Sequence, residues 1–563
     1  MAKKVGFLEL PMIKAPKLSA MILSLPAIFQ DRWRLIALVF ATLVLIPVLV
    51  VISSFFHPEK EVWLHLFDYV LGDLLINTFW LVLGVGFGTL LLGVSLGWLM
   101  AVYQFPGRRV LSWALLLPIA IPAYVSAFVF IGLLDFTGPL QTWLREAFGS
   151  SDWFPHIRST GGVILVMSLA LYPYVYLLAR NAFSTQGKRA LEAAQALGHS
   201  RRSGFFRVAL PMARPWIVGG LMLALMETLA DFGTVSVFNY DTFTTAIYKT
   251  WFGMFSLDAA SQLASLLVII VFVLLILEQL SRSRMRYTQA GRHQETGRIR
   301  LEGLAAWSAT LFALVVVSIA FIIPLVQLLI WAAGVFAEDF DSRYLGFLQH
   351  TLMLAAIAAI ITVVAALLLS YAARRNTDTL TRSCVRIATI GYALPGTVLA
   401  VGVFVAIAWV DRTLLNIIKP LMQIEAGMLL QGSLLIMLVA YMARFMAVGF
   451  NPVDSAMQRL PLSLDDVSRT LGVGNLTMLR RVHAPILRGG MVTALILVFV
   501  DVMKEMPITL MTRPFGWDTL AVRIFEMTSE GEWERAALPA VTLVLVGLLP
   551  IIFLSRHGNV NEQ

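Results

Sequence analysis

The chain has 563 residues, of which 58% are hydrophobic and 14% charged, and its mean hydropathy is +0.80. This composition excludes a soluble protein with one core, because it supplies far more apolar surface than one core can bury. The apolar residues fall into repeated runs of about 20, the length of a helix that crosses a bilayer. The sequence therefore predicts an all-α polytopic membrane protein. The formal net charge of +9 does not indicate nucleic-acid binding, since Lys and Arg lie in short clusters between the apolar runs.

Twelve membrane spans are predicted, at 35–56, 76–103, 111–134, 162–182, 215–236, 259–279, 305–333, 350–373, 385–410, 429–449, 488–510 and 538–555. An even number of spans places both termini on one side of the membrane. The basic segments at 105–109, 281–300 and 374–382 are expected in the cytoplasm by the positive-inside rule. Both termini are therefore predicted to be cytoplasmic.

The regions outside the spans divide the chain into five parts. Residues 1–34 form an N-terminal cytoplasmic segment, in which 18–29 is predicted as an interfacial helix rather than a signal peptide because no small-residue cleavage site follows it. Six spans occupy 35–280 and six occupy 303–556. A basic cytoplasmic linker at 281–302 joins these halves, and 557–563 form a cytoplasmic tail.

The two halves are copies of one repeat. The stretch "EAAQALG" at 192–198 aligns with "DVSRTLG" at 466–472, and "VALP" at 208–211 aligns with "VHAP" at 482–485. Both alignments have an offset of 274 residues. Pro122 aligns with Pro395 at an offset of 273, so one insertion or deletion separates the two regions.

Each repeated stretch is predicted to fold as a helix, a sharp turn and a second helix. Ala193 and Ala194 favour a helix of little bulk, Gly198 can adopt the positive φ that ends it, and Ser200 can cap the next one. Small side chains permit close docking against another protein, and Glu192 is available for a basic group of that partner.

The second copy departs from this pattern. Asp466 stands in place of Glu192, and Val467 and Ser468 replace the two alanines. We expect this copy to dock less tightly, or the two copies to contact their partners unequally.

These motifs carry a resemblance to a known family. The pattern E-A-A-x-x-x-G, nine residues, then aliphatic-x-x-Pro, resembles the coupling loop of binding-protein-dependent ABC importer permeases. Its presence twice resembles a fused permease. The stretches "ETLADFGTVSVF" (227–238), "TFTTAIYKTWFG" (242–253), "DVMKEMPITLMTRPFGWDTLAV" (501–522) and "AALPAVTLVLVGLLP" (536–550) are similar to the ferric iron permeases.

The resemblance implies a fold and a set of partners. The fold is two tandem six-helix type I ABC importer permease domains in a bacterial inner (plasma) membrane, with coupling loops at 185–211 and 459–485. The partners are two copies of an ABC ATPase subunit, a solute-binding protein that delivers ferric iron, and membrane lipid. The coupling-loop residues are Glu192, Ala193, Ala194, Gly198, Pro211, Asp466, Gly472 and Pro485.

The chain contains no site for ATP hydrolysis. It has no G-x-x-x-x-G-K-[ST] motif, and "QGKR" at 186–189 lacks the upstream glycine and the hydroxyl that binds Mg²⁺. The single cysteine, Cys384, excludes an intrachain disulfide. We therefore expect no cofactor in this chain, no enzymatic activity of its own, and ATP with Mg²⁺ in the partner subunits.

Four carboxylates lie within predicted spans, where an ionised group is costly unless it faces a polar cavity or a partner. Glu227 and Asp231 in one half match Asp501 and Glu505 in the other, again at an offset of 274. Each pair is spaced i, i+4 and so lies on one helix face. Helix weakeners, Gly233 and Pro507, follow at corresponding depths. These six residues are predicted to form a gate or translocation pathway.

The four acids suit a cation, and their oxygen ligands match a hard metal such as ferric iron held transiently. They also suit thiamine or a polyamine, and Lys504 would offset part of their charge. A different interpretation makes them helix-terminal salt bridges. A proton-coupled secondary transporter is the alternative class, which the duplicated loop disfavours. A membrane enzyme is disfavoured because the sequence has no nucleophile, metal or cofactor constellation.

Overall fold

The computed structural model describes residues 31–56, 60–283, 297–422 and 430–558, and these are almost entirely helical. Helices of the first half are α1 (Arg32–Ser54), α2 (Lys60–Tyr69), α3 (Leu71–Val102), α4 (Arg108–Ala114), α5 (Ala123–Leu134), α6 (Pro139–Phe148), α7 (Thr160–Ala196), α8 (Arg201–Gly204), α9 (Leu210–Ala230), α10 (Gly233–Val237), α11 (Phe243–Tyr248) and α12 (Leu257–Ser283). Helices of the second half are α13 (Gly303–Val317), α14 (Ile323–Asp339), α15 (Ser342–Arg375), α16 (Thr379–Ala388), α17 (Gly396–Met422), α18 (Leu434–Gln458), α19 (Ser463–Thr470), α20 (Asn475–Met478), α21 (Ala484–Lys504), α22 (Pro507–Thr512), α23 (Leu520–Ser529) and α24 (Trp533–Gly558). The predicted helix at 18–29 and most of the predicted linker and tail lie outside the described residues.

The only strands in the described ranges are two short parallel ones, β1 (Tyr103–Gln104) and β2 (Ile299–Arg300). They join the end of α3 to the segment that precedes α13. Between the other described helices lie loops and single turns of 3₁₀ or π helix.

The polytopic all-α fold is confirmed. Ten helices in the described residues are long and apolar enough to cross a membrane, and an eleventh is formed by the bent pair 475–486 and 488–504. Helix α24 covers the predicted twelfth span, although it is not among these ten or eleven. Large apolar side chains such as Leu49, Phe79 and Phe87 are exposed on the outer faces, where lipid would cover them.

The predicted spans at 111–134 and 385–410 are not continuous helices. In the first, α4 ends at Ala114, a 3₁₀ turn occupies Leu117–Ala120, and α5 begins after Pro122. In the second, a 3₁₀ turn at Ile390–Ala393 separates α16 from α17. The physical reason is proline: Pro122 and Pro395 cannot donate a backbone hydrogen bond and disfavour helical geometry at the residue before them.

The structure repeats with the same spacing as the sequence. Helices α8, α9 and α10 begin 274 residues before α20, α21 and α22. Even an irregular turn is copied, since a π-helical turn occupies Phe205–Ala209 in one half and Leu479–His483 in the other. The structural repeat therefore extends to this local irregularity of the backbone.

The first span of each half packs against the other half. Helix α1 belongs to the first half, yet Trp33 packs edge-on against Tyr371 with ring centroids 4.4 Å apart. Helix α14 of the second half places Trp331 parallel to Phe128 of α5, at 6.4 Å. Helix α1 packs mainly against α15, α16 and α17 of the second half, whereas α14 packs mainly against α24 of its own half and also contacts α5. The two halves therefore interlock through their first spans, and most extensively through α1.

A glycine series on α3 allows close packing against α7. A Cβ on Gly93 would lie 2.5 Å from Val175 Cβ and 2.9 Å from the backbone nitrogen of Tyr176. Gly84, Gly88 and Gly97 likewise face Ile164, Ser168 and Ala179. The small-xxx-small spacing in this helix therefore serves helix packing.

We predict that Gly93→Ala lowers the thermal unfolding midpoint of the purified protein, at a cost of about 1–3 kcal/mol, because the added methyl overlaps backbone atoms that cannot move aside. The matched control is Gly334→Ala on α14, where a Cβ meets nothing within 4 Å. That control should leave the midpoint unchanged or raise it slightly. Equal midpoints for both variants would contradict the packing role.

Candidate functional site

The predicted loop at 185–211 has the geometry of a helix, a glycine turn and a second helix. Helix α7 ends at Ala196, and Gly198 has a φ of 81°. The N–H of His199 donates to the carbonyl of Ala194 at 2.9 Å, which closes the helix end. Ser200 caps α8 by accepting from the N–H of Ser203 at 3.3 Å.

The loop at 459–485 repeats the backbone of this turn, without the side-chain cap. Gly472 has a φ of 72°, and the N–H of Val473 donates to the carbonyl of Ser468 at 3.0 Å. Gly474 then stands at the N-terminus of α20. The positions of Gly198 and Gly472 in the turn are therefore as predicted.

The side chains predicted for docking lie on the outside of both loops. Glu192 and Asp466 are exposed, as are Pro211 and Pro485, whereas Ala194 is buried against Gly204 of α8. Ala194 thus packs the two helices of the loop together. Ala193 lies in α7, between the exposed Glu192 and the buried Ala194.

The second loop contains a buried ionic network that the sequence analysis missed. Arg374, at the end of α15, donates to both carboxylate oxygens of Asp465 at 2.9 and 3.2 Å. His483 Nε2 lies 2.9 Å from Asp465 Oδ1. Arg374 also donates to the carbonyls of Met457, Leu460 and Pro461, and so holds α19 against α15 and α18.

The first loop has apolar residues at the same positions. Leu191, Ala209 and Ala101 stand where the second half has Asp465, His483 and Arg374, and all three are buried. The two loops therefore share one backbone but are fixed by different forces. Burial opposes ionisation of Asp465, but hydrogen bonds from Arg374 and His483 outweigh it and hold the pKa of that carboxyl below its ordinary value.

All four predicted intramembrane acids line one cavity of about 200 Å³ between the halves. Gly233 and Pro507 line it as well, so the six predicted pathway residues come together. The other polar residues of its wall are Tyr124, Tyr174, Tyr392, Arg444 and Lys504. Four carboxylates against two cationic side chains leave a formal charge of −2.

Asp231 and Glu505 stand at the breaks and cap the helices that follow. Asp231 accepts from the hydroxyl of Thr234 at 2.9 Å and the N–H of Val235 at 3.2 Å. Glu505 accepts from the N–H groups of Ile508 and Thr509 at 3.0 and 3.1 Å. Both breaks are thus held by a carboxylate at a helix N-terminus, which favours negative charge.

The partners of the acids differ between the halves. Glu505 forms an ion pair with Arg444 at 3.2 Å, whereas Glu227 accepts a neutral hydrogen bond from the hydroxyl of Tyr392 at 2.9 Å. Arg444 and Tyr392 were not predicted, because each lies far in sequence from the acid it contacts. The described residues contain no group of three or more His, Cys, Asp or Glu side chains placed to hold a metal ion. The transient metal role of the four acids stays a prediction.

Comparisons with known proteins find similarity to membrane components of transport systems. Residues 93–287 match the family model described as the binding-protein-dependent transport system inner membrane component. An Fe(3+)-transport system permease protein of Haemophilus influenzae is 26% identical over 502 residues, which cover 88% of this chain and 91% of the relative.

Two further relatives are more distant or shorter in alignment. A ferric transport system permease protein of Actinobacillus pleuropneumoniae is 22% identical over 78% of this chain and 64% of its own length. A sulfate transport system permease protein of Escherichia coli is 29% identical over 25% of this chain and 50% of its own length.

We predict that Asp465→Ala lowers the thermal stability of the protein by about 3–5 kcal/mol, since it leaves the buried Arg374 uncompensated. Asp466→Ala is the matched control. The Asp466 side chain is 72% exposed, and its ion pair with Arg469 is long, at 3.8 Å. Its effect should be within about 0.5 kcal/mol. The comparison is made by thermal unfolding in one detergent.

The same network predicts a pH dependence. The lowered pKa of Asp465 contributes stability that is complete above the ordinary aspartate range and is lost as the pH falls through the lowered value. The difference in midpoint between wild type and Asp465→Ala should therefore shrink on acidification. If the difference between the two unfolding midpoints stays constant as the pH falls through the protonation of Asp465, this account is wrong.

Proposed function

We propose that the chain is a permease providing both transmembrane halves of an ABC importer for ferric iron, since residues 93–287 match the family model of the binding-protein-dependent transport system inner membrane component. The observation that carries the proposal is the duplicated helix, glycine turn and helix at 192–204 and 466–478. The two copies provide two docking surfaces in one chain, which matches two ATPase subunits. The permease domains comprise 35–280 and 303–556, and both termini lie in the cytoplasm.

In this mechanism the energy comes from the partner subunits, which bind ATP with Mg²⁺. When these subunits close, they move the two docked loops toward each other, and the interlocked halves transmit that movement to the cavity. The breaks after Asp231 and Glu505 supply points where each span changes direction without losing its backbone hydrogen bonds. The cavity then opens toward the solute-binding protein, and hydrolysis resets it.

The assignment of ferric iron rests on the chemistry of the cavity and on the relatives. Carboxylate and phenol oxygens are hard ligands, and a formal charge of −2 attracts a cation. Two relatives that align with 78% or more of this chain are named for ferric transport. An organic cation such as thiamine or a polyamine is the alternative cargo for the same architecture.

The cargo is tested by reconstituting the chain with its ATPase and solute-binding protein and measuring ATP hydrolysis. The binding protein is loaded in turn with ferric iron, thiamine, spermidine, sulfate or nothing. We expect stimulation by the ferric form alone. Stimulation by one of the other solutes would keep the importer class and replace the cargo.

We predict that Asp231→Asn reduces ferric transport at least tenfold while the protein still inserts and folds. The amide oxygen of Asn still caps α10, so the change removes mainly the charge. Thr234→Val is the control, because it removes a neutral partner of Asp231 and keeps the carboxylate. If Asp231→Asn transports as wild type does, the acid acts only as a cap.

We predict that Gly198→Arg uncouples ATP hydrolysis from transport, because the new side chain projects from the exposed turn into the docked ATPase. Gly149→Arg is matched to it: Gly149 has a φ of 78°, and a Cβ at either glycine meets nothing within 4 Å. Both variants therefore carry a similar backbone strain of about 1–2 kcal/mol.

Only Gly198→Arg should lose ATPase co-purification, and Glu192→Ala should weaken it without affecting insertion. Equal co-purification of the ATPase with the two arginine variants would remove the loop from the coupling role.

A further inference from the structure

The shared cavity is not symmetric in charge. The repeat places Ala170 of α7 at the position of Arg444 of α18, and both residues line the cavity. The same repeat places Ala123 at the position of Gly396. Packing supports this alignment of α18 with α7. Gly449 of α18 lies 274 residues after Val175 of α7, and the two residues contact the equivalent helices α15 and α3.

Gly396 and Arg444 fit each other. A Cβ on Gly396 would overlap Arg444 Nη1 and lie 2.8 Å from Glu505 Oε1. In the second half, Gly396 leaves space for the side chain of Arg444. In the first half, Ala123 and Ala170 occupy these two positions, and no cationic side chain needs space there. Together, the glycine and the arginine of the second half place a guanidinium group beside Glu505.

The carboxylate of Glu505 is fully occupied. It receives the guanidinium of Arg444, the N–H groups of Ile508 and Thr509, and the hydroxyl of Thr509 at 3.2 Å. Lys504 follows the other acid of this half, Asp501, by three residues on α21, and it donates to the carbonyl of Ile119 at 3.1 Å. In the second half, Glu505 thus has a cationic partner and Asp501 has a lysine within one helical turn.

The acids of the first half have no such cation. Among the ion pairs of the described residues, none involves Glu227 or Asp231, and the partners of both acids are neutral hydroxyl or amide groups. Tyr124 is buried, lines the same cavity, and its hydroxyl has no hydrogen-bond partner within the described part of the chain. Among the described residues, the two first-half carboxylates therefore line the cavity without a cationic partner, and the Tyr124 hydroxyl is an oxygen ligand of the same cavity that has no partner.

We propose that Arg444 is a tethered counter-cation that withholds Glu505 from the cargo, so that cationic cargo binds on the first-half side, at Glu227 and Asp231. This proposal rests on the proposed function in one respect, which is that the cargo is a cation. Arg444 sets the specificity of the cavity by reducing its negative charge from one side.

The test converts the second half to the chemistry of the first with the double variant Gly396→Ala, Arg444→Ala. This variant should fold, because Asp231 already forms the same helix cap beside Ala123 and Ala170 without a cation. The purified chain in lipid nanodiscs is titrated with Mn²⁺, a hard cation whose free form is counted by electron paramagnetic resonance. We expect wild type to bind Mn²⁺ and the double variant to bind it at least tenfold more tightly.

Two further variants locate the effect. Adding Glu505→Gln to the double variant should cancel the gain, and Glu227→Gln should weaken Mn²⁺ binding in both backgrounds. Gly396→Ala alone keeps every charge and only displaces the guanidinium of Arg444. It should give a smaller gain in Mn²⁺ affinity, and it replaces the double variant in this test if the double variant is unstable.

An unchanged affinity in a folded double or single variant would overturn the proposal, as would a gain that survives Glu505→Gln. The titration uses no ATPase or binding protein, so its outcome is independent of the ferric-stimulated hydrolysis that tests the proposed function.

Discussion

A carboxylate within a membrane-spanning helix must be compensated, and the arrangement of this molecule follows from how four of them are compensated. Asp231 and Glu505 are compensated by the helices they interrupt: each break exposes N–H groups, and the carboxylate accepts from them. The acid and the break therefore stabilise each other. Without the break the acid would lack donors, and without the acid the free N–H groups would lack acceptors.

The same requirement explains why the cavity lies between the halves. Glu227 reaches across the repeat boundary to Tyr392, and Lys504 reaches across it to the carbonyl of Ile119. Polar groups that would be costly facing lipid are thus satisfied by the other half. The interlocked first spans, with Trp33 on Tyr371 and Trp331 beside Phe128, keep the halves close enough for these contacts.

Features fixed by local sequence could be predicted. The glycine turns at Gly198 and Gly472 and the weakened helices at Gly233 and Pro507 follow from the conformational limits of single residues. The 274-residue spacing also identified the two halves as copies of one repeat, and the i, i+4 spacing placed each acid pair on one helix face. Pro122 and Pro395 carried the signal for the broken third and ninth spans, because proline disfavours helical geometry at the residue before it.

Features fixed by contacts distant in sequence could not be predicted. Arg374, Asp465 and His483 are separated by up to 109 positions and occupy positions that are apolar in the other half. Arg444 resembles an ordinary membrane-boundary arginine until Glu505 and Gly396 are seen beside it. Such networks depend on which helices are neighbours, and hydrophobic periodicity gives the faces of helices but not their partners.

The crossed first spans also constrain the order in which the molecule can be made. Helix α1 leaves the ribosome early, but the surface that buries Trp33, Ala37 and Ala41 includes Leu369 and Tyr371, which are synthesised more than 300 residues later. Until then this helix has only lipid to cover that face. Its own membrane insertion must therefore be self-sufficient, which accounts for a mean hydropathy of 3.2, higher than that of any other candidate span.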